Sequence, residues 1–211
     1  MELSYAAANK VFMFFLFRWL FGKFIQPEQE GRFLVKIVSG SAYQVFLDES
    51  FRELADFKRQ NEEEQNRIFN ELVVTGLGLL LLLIDDKLPN IKDERKNFWK
   101  EVRDKVPELF TEWLESLGIA KTYVGIWAKL IDLRMDEYLK DKGMTRNVWA
   151  EELFKENDEE MNDAAVRVET MTVSSLLHIT RGKAKPRGPM HFHMRTWLSV
   201  LDHKLRKRVG W

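Results

Sequence analysis

The feature that most limits how this chain can fold is the uninterrupted apolar run from Leu72 to Ile84, LVVTGLGLLLLLI. An apolar helix needs roughly 20 residues to span a bilayer, so this run is too short to cross one. A helix that is apolar on every side is stable only where other elements bury it. We therefore predict a central buried helix, in which Gly76 and Gly78 allow neighbouring helices to approach closely.

The rest of the chain favours helices over strands. Only 5 prolines and 11 glycines occur in 211 residues, and residues with high helix propensity are abundant. We predict an all-α fold of about eight helices in a single domain, residues 1–211, packed around the 72–84 helix. Breaks are expected at 39–41, before Pro107 and at Gly143, with a helix from Ala42 to Gln60. The segment 32–38 is assigned to helix only weakly.

The N-terminal segment, residues 1–26, is expected to form an aromatic docking helix. Its apolar stretch contains Arg18 and no small-residue cleavage site follows, so a signal peptide fits poorly and a cytoplasmic location is expected. The preferred partner is the rest of the protein or another subunit, and the alternative is a membrane surface or a membrane complex. The predicted partner-binding residues are Phe12, Phe14, Phe15, Phe17, Trp19 and Phe21.

The chain is electrically neutral overall, but its charge is divided between two regions. Residues 178–211 carry nine lysines and arginines and a single acid, Asp202, which is a net charge of +8. The rest of the chain must therefore carry −8. A concentration of positive charge of this size can attract nucleic acid, an anionic membrane or an acidic protein surface.

The C-terminal segment, residues 181–211, is predicted to combine a basic loop with an amphipathic helix from Met190 to Arg208. One arc of the helix is apolar and is expected to dock on the bundle, while the opposite arc is basic and faces outward. This pattern indicates binding to nucleic-acid phosphates without base recognition. The predicted nucleic-acid-binding residues are Arg181, Lys183, Lys185, Arg187, His193, Arg195, His203, Lys204, Arg206, Lys207 and Arg208.

Catalytic and metal-binding interpretations are weaker. On a helix, His191 and His193 point about 200° apart, so they cannot share one metal ion. Asp132 and Asp136 are expected to lie on a solvated face with ion pairs to Lys129 and Lys140, and Arg134 is expected to pair with Glu137 in a partly buried position. The pairs Asp85–Asp86 and Asp132–Asp136 nevertheless leave a Mg²⁺ site open.

The sequence thus predicts a non-catalytic helical subunit of an assembly, an oligomer or larger complex, that binds nucleic acid through its basic C-terminal segment. Its expected partners are nucleic acid, bound independently of sequence, and other protein subunits, and no cofactor is expected. Two alternatives remain: a peripheral subunit of a membrane-associated complex docked through the N-terminal helix, and a helical Mg²⁺-dependent hydrolase. The acidic segment 151–163 could also cover the basic residues, within one chain or between copies.

Overall fold

The computed structural model describes residues 25–152, 162–183, 185 and 187–211. Within these ranges the protein is all-α, as predicted, with seven helices, two short 3₁₀ turns and no strand. The helices are α1 (Pro27–Leu47), α2 (Glu49–Leu54), α3 (Glu62–Lys87), α4 (Asp93–Ser116), α5 (Lys121–Glu152), α6 (Asp163–Ile179) and α7 (Pro189–Val209). The expected helix over residues 1–26 lies almost entirely outside the described residues.

Helix α3 is the centre of the bundle, and α1, α4, α5, α6 and α7 all pack against it. It begins at Asn61, whose side chain accepts a hydrogen bond from the backbone N–H of Glu64 at 2.9 Å. Every residue from Leu72 to Ile84 is buried, which confirms the predicted central helix. The two glycines are needed for packing. A Cβ atom at Gly76 or Gly78 would lie 2.7 or 2.5 Å from a neighbouring side chain.

The segment Glu62–Asn90 is also long and apolar enough to cross a membrane, with a mean hydropathy of 1.9 in its most apolar 18-residue window. However, 83% of that window is buried by the other helices. Burial of this extent is typical of a core helix, and it agrees with the five helices that surround α3.

Several predicted helix ends are wrong, in both directions. Helix α1 continues through 39–41, so the weakly assigned 32–38 segment is helical, but the helix expected to reach Gln60 ends at Leu47. There Asp48 caps α2 instead, by accepting a hydrogen bond from the backbone N–H of Phe51 at 2.8 Å. Local capping therefore decides the end of α1.

The breaks expected at Pro107 and Gly143 do not occur, because α4 and α5 run through both residues. A glycine inside a helix costs only about 1 kcal/mol. Ion pairs on either side of Gly143 hold α5 in place, Lys142 with Asp86 and Arg146 with Asp163. Tertiary contacts thus outweigh the local tendency to break.

Helix α7 packs antiparallel to α1. Its Trp197 Nε1 donates a hydrogen bond to Ser41 Oγ at 2.9 Å, and Arg208 Nη2 donates one to Glu30 Oε2 at 2.7 Å. The order of these pairs is reversed between the two helices. The C-terminal Trp211 packs against Trp99 of α4 in a tilted arrangement, with ring centroids 4.7 Å apart. The middle and the C-terminal end of α7 are therefore fixed to the bundle.

A buried ion network joins α7 to the core. Arg167 of α6, only 1% exposed, donates to Asp202 of α7 through Nε at 2.9 Å and Nη2 at 2.6 Å, and it also pairs with Asp86 of α3. Lys142 completes the ion pairing of Asp86, and Arg206 that of Asp202. Asp202, the single acid of residues 178–211, is therefore directed into the bundle and paired there.

Candidate nucleic-acid interface

The two arcs predicted for the C-terminal helix are present in α7. Its apolar arc is buried in the bundle and consists of Met190, Met194, Trp197, Leu198, Leu201 and Leu205. The opposite side is exposed along most of its length, from Phe192 to Lys207. This outer face and the described residues of the preceding loop, 180–183, 185, 187 and 188, form the surface that we call the basic face.

The loop has a defined backbone conformation at its two ends. Arg181 and Arg187 both have positive φ, 53° and 57°, in the left-handed region that few non-glycine residues occupy. Gly182 N–H donates to Leu177 O at 2.9 Å, and Lys183 N–H donates to Thr180 O at 3.1 Å. Backbone hydrogen bonds thus fix how the chain leaves α6.

The start of the loop is also tied to α3. Arg67 donates hydrogen bonds to the carbonyl oxygens of His178 and Ile179 at 2.7 and 2.8 Å, at the C-terminal end of α6. Glu64 accepts hydrogen bonds from both Arg67 and Arg181. Both bonds lower the pKa of Glu64, and the one from Arg67 has the larger effect. Arg181 is therefore held in place by an acid that stays ionised at neutral pH.

Five of the eleven predicted cationic residues have acidic neighbours. Arg181 pairs with Glu64 at 2.6 Å, Arg206 with Asp202 at 2.7 Å and Arg208 with Glu30 at 2.7 Å. Two further contacts are looser: 3.4 Å between Arg195 and Glu169, and 3.7 Å between His193 and Asp48. These residues contribute less free positive charge than the sequence predicts.

The other six form no ion pair with any residue that the structure describes. All six are exposed: Lys183, Lys185, Arg187, His203, Lys204 and Lys207. Three lie in the loop and three near the C-terminal end of α7. The rise of an α-helix places Lys204 about 22 Å from Pro189 along the axis, which is the length of roughly six or seven base pairs. The basic face therefore has two positive clusters on one side of the bundle.

Two solvent-accessible spaces border the basic face. The larger, about 820 Å³, lies beneath the loop. Its walls carry four cationic and three acidic side chains, so the charge of the lining is nearly balanced. The cationic residues are Arg59, Arg67, Arg181 and Lys183, and the acidic residues are Asp56, Glu63 and Glu64. The smaller, about 610 Å³, is an open groove between α1 and α7. Its lining includes Ser41, Gln44, Phe192, His193, Thr196 and Trp197, and we call it the α1–α7 groove.

Phe192, 56% exposed, was missed by the sequence analysis. Helical spacing predicts the exposure of Phe192, because this residue precedes Arg195 and Thr196 by three and four residues and therefore points outward with them. An aromatic side chain at that position has no place in the buried arc.

The histidines and acidic pairs considered as metal ligands have other partners. His178 and His191 contact different carboxylates, Glu137 at 3.0 Å and Glu169 at 3.1 Å. Asp85 accepts from Arg103 at 3.0 Å. Because Asp86 is paired with Arg167 and Lys142, the end of α3 presents carboxylates that are already neutralised by cations. In the part of the chain that is described, no cluster of three metal-ligating side chains occurs.

On α5 the predictions are partly confirmed. Asp132 and Asp136 are exposed, as expected for a solvated face. The ion pairs expected with Lys129 and Lys140 are not formed within the described ranges. Arg134 does pair with Glu137 at 2.9 Å, and it also binds Glu71 of α3 at 2.8 Å. Burial opposes the charged form of the guanidinium group, but Glu71 and Glu137 outweigh this effect and raise the pKa of Arg134.

Other predictions fall on residues that the structure does not describe. All six predicted aromatic docking residues, Phe12 to Phe21, belong to this part of the chain, as does most of the acidic segment 151–163. Comparison of the chain with protein-family models, curated proteins and solved structures finds no match. Function must therefore be argued from the residues of the basic face.

Proposed function

We propose that the protein binds the phosphate backbone of nucleic acid through the basic face and acts as a non-catalytic subunit of an assembly. The main supporting observation is the set of six exposed residues without ion pairs, five of which are lysine or arginine. Asp202, which could offset their charge, is buried and paired. Phosphate is the nucleic-acid group that such side chains bind irrespective of sequence.

An anionic membrane is a less suitable partner for α7. A basic amphipathic helix that binds a membrane inserts its apolar arc among the lipids. In this protein the apolar arc is used for packing: Met194, Leu198 and Leu205 are fully buried. Insertion would require α7 to leave the core, whereas contact with phosphates requires only the exposed side.

The proposal predicts a strong dependence of binding on salt. If Lys183, Lys185, Arg187, Lys204 and Lys207 each contact one phosphate, log K for a duplex should fall with log salt at a slope of about −4.5. The double substitution Lys204→Gln/Lys207→Gln should reduce the slope to about −2.7, because two contacts are lost. Affinity for different sequences should fall equally.

The matched control is Lys129→Gln/Lys140→Gln. These lysines are exposed on α5, which packs on α3, α4 and α6. Their substitution removes the same charge as that of Lys204 and Lys207. Fluorescence anisotropy with labelled oligonucleotides at several salt concentrations measures both variants. A control variant with the same loss of slope as Lys204→Gln/Lys207→Gln would show that only net charge matters. Wild-type protein that retains no oligonucleotide at low salt would refute nucleic-acid binding, and the basic face would then suit an acidic protein.

A separate surface supports the proposed role as a subunit. Tyr123, Ile126 and Leu133 on α5 are 63, 62 and 56% exposed, and their spacing places them on one side of the helix. The contacts of α5 with α6 involve its C-terminal half, as at Glu137 and Asp141. Within the described part of the chain, this side of the N-terminal half is an exposed apolar stripe, which is typical of a protein–protein contact.

This part of the proposal is tested by Ile126→Glu. The substitution should reduce the mass of the complex measured by light scattering, because a charge in an apolar contact is unfavourable. Leu47→Glu changes a residue of similar type, 49% exposed on α1, and should leave the mass unchanged. Equal masses for wild type and Ile126→Glu would refute a contact at this stripe.

A further inference from the structure

The aromatic side chain of Phe192 lies in the middle of a polar, cationic surface. It is 56% exposed, whereas the other aromatic residues in the first half of α7 are largely covered, Trp197 at 7% among them. Arg187 precedes it by five residues and Arg195 follows by three, both exposed. Single exposed apolar side chains are common on protein surfaces, and what distinguishes this ring is its position between two exposed cations.

The α1–α7 groove opens beside this ring. Its volume, about 610 Å³, lies in the range of small-ligand sites, and it has aromatic as well as hydrogen-bonding side chains. Trp197 forms part of its wall and is fixed by the hydrogen bond to Ser41. Gln44 and Thr196 add polar groups capable of donating and accepting hydrogen bonds.

We propose that Phe192 is a stacking platform for an unpaired nucleobase, which the α1–α7 groove receives, and that the preferred ligand is single-stranded nucleic acid. This inference rests on the proposed function, since cations of the loop and of α7 supply the phosphate contacts on the two sides of the base. Proteins that bind single strands combine a cationic path for the backbone with aromatic rings for the bases. Bases in a duplex are stacked on one another and cannot use such a ring.

The geometry of the face is consistent with this arrangement. Arg187 makes no ion pair with a described residue, and Arg195 has only a contact of 3.4 Å to Glu169 through Nε. Both guanidinium groups can therefore reach phosphates that flank a base on Phe192. Asp48 belongs to the groove lining, where its carboxylate accepts the capping hydrogen bond from Phe51 N–H at 2.8 Å and lies 3.7 Å from His193 Nε2. A nucleobase in the groove is uncharged, so this carboxylate does not repel it.

The test uses the full chain with three probes of equal length: a single-stranded oligonucleotide, its duplex, and a strand of the same backbone whose central positions lack bases. Phe192→Ala should weaken binding to the ordinary single strand by roughly 5- to 100-fold. Binding to the duplex and to the abasic strand should stay unchanged. The salt dependence should also stay unchanged, because no phosphate contact is removed.

Two variants make the result specific. Phe192→Tyr keeps the aromatic face and should restore wild-type affinity. Val200→Ala truncates an apolar side chain that is 63% exposed on the same outer face, and it should have no effect. Circular dichroism of each variant should match the wild type, because both positions are exposed.

Failure of this inference differs from failure of the proposed function. If the wild type binds oligonucleotides and Phe192→Ala binds the single strand equally well, stacking is refuted and phosphate binding stands. An equal loss for the abasic strand would likewise refute stacking. If the wild type binds none of the three probes at low salt, both proposals are wrong.

Discussion

Substitution of Arg167 by methionine is the strongest test of how α7 is held in the bundle. Arg167 is 1% exposed and links Asp86 of α3 to Asp202 of α7. Methionine keeps most of the side-chain volume and removes the charge, which leaves Asp86 with Lys142 and Asp202 with Arg206 as their remaining partners. Arg206 is partly exposed, so it compensates incompletely.

Removing one member of a buried ion pair costs about 3–5 kcal/mol, because the remaining carboxylates lose a buried partner in a medium of low polarity. For a chain of this length the loss corresponds to a fall in Tm of roughly 6 to 20 °C. The matched control is Arg146→Met, since Arg146 pairs with Asp163 at a position where both side chains are about half exposed. Exposed pairs contribute at most about 1 kcal/mol.

Urea denaturation followed by circular dichroism measures both variants. The double substitution Arg167→Met/Asp202→Leu should cost less than the sum of its single substitutions, since the two residues form one pair. If Arg167→Met loses no more stability than Arg146→Met, the network does not hold α7 and the argument from burial is wrong.

Three further predictions concern packing and pH. Gly78→Ala should destabilise the protein by about 1–3 kcal/mol, because the new Cβ atom would lie 2.5 Å from the Tyr138 ring. Gly125→Ala places its Cβ atom where no other atom lies within 4 Å, so it should stabilise the protein by up to about 1 kcal/mol. Thermal melts measure both changes. Burial raises the pKa of Tyr138, so the contribution of this residue to stability is present below about pH 10 and is lost at higher pH. Tyr138→Phe should therefore move alkaline unfolding to higher pH. The pKa of Glu64 is lowered, so its contribution is lost as pH falls below about 4.5, and Glu64→Gln should flatten the acid limb of the stability curve.

The parts of the fold that were predictable from sequence are those set by long apolar patterns. The run from Leu72 to Ile84 specified a buried helix without further information, and the two arcs of α7 followed from residue spacing alone. Helix ends were less predictable. Pro107 and Gly143 are local breaking signals, but α4 and α5 continue through them because contacts with other helices hold the chain on both sides.

Availability of charge could not be predicted in the same way. Arg208 is next to Lys207 in sequence, but it pairs with Glu30, 178 residues earlier. Arg181 likewise pairs with Glu64, 117 residues away. A helical wheel shows which cations face outward from one helix and contains nothing about acids on the helix beside it. The three-dimensional fold therefore divides the eleven predicted residues into paired and unpaired groups.

If the proposed function holds, this division limits where the nucleic acid can lie. Pairing with Glu30 and Asp202 directs Arg208 and Arg206 toward the bundle, so Lys204 and Lys207 are the cations available at that end of α7. At the other end the unpaired cations belong to the loop, and Phe192 lies on the outer face between the two clusters. On this proposal, a phosphate chain that contacts both clusters follows α7 lengthwise and passes Phe192, where a base can stack on the ring.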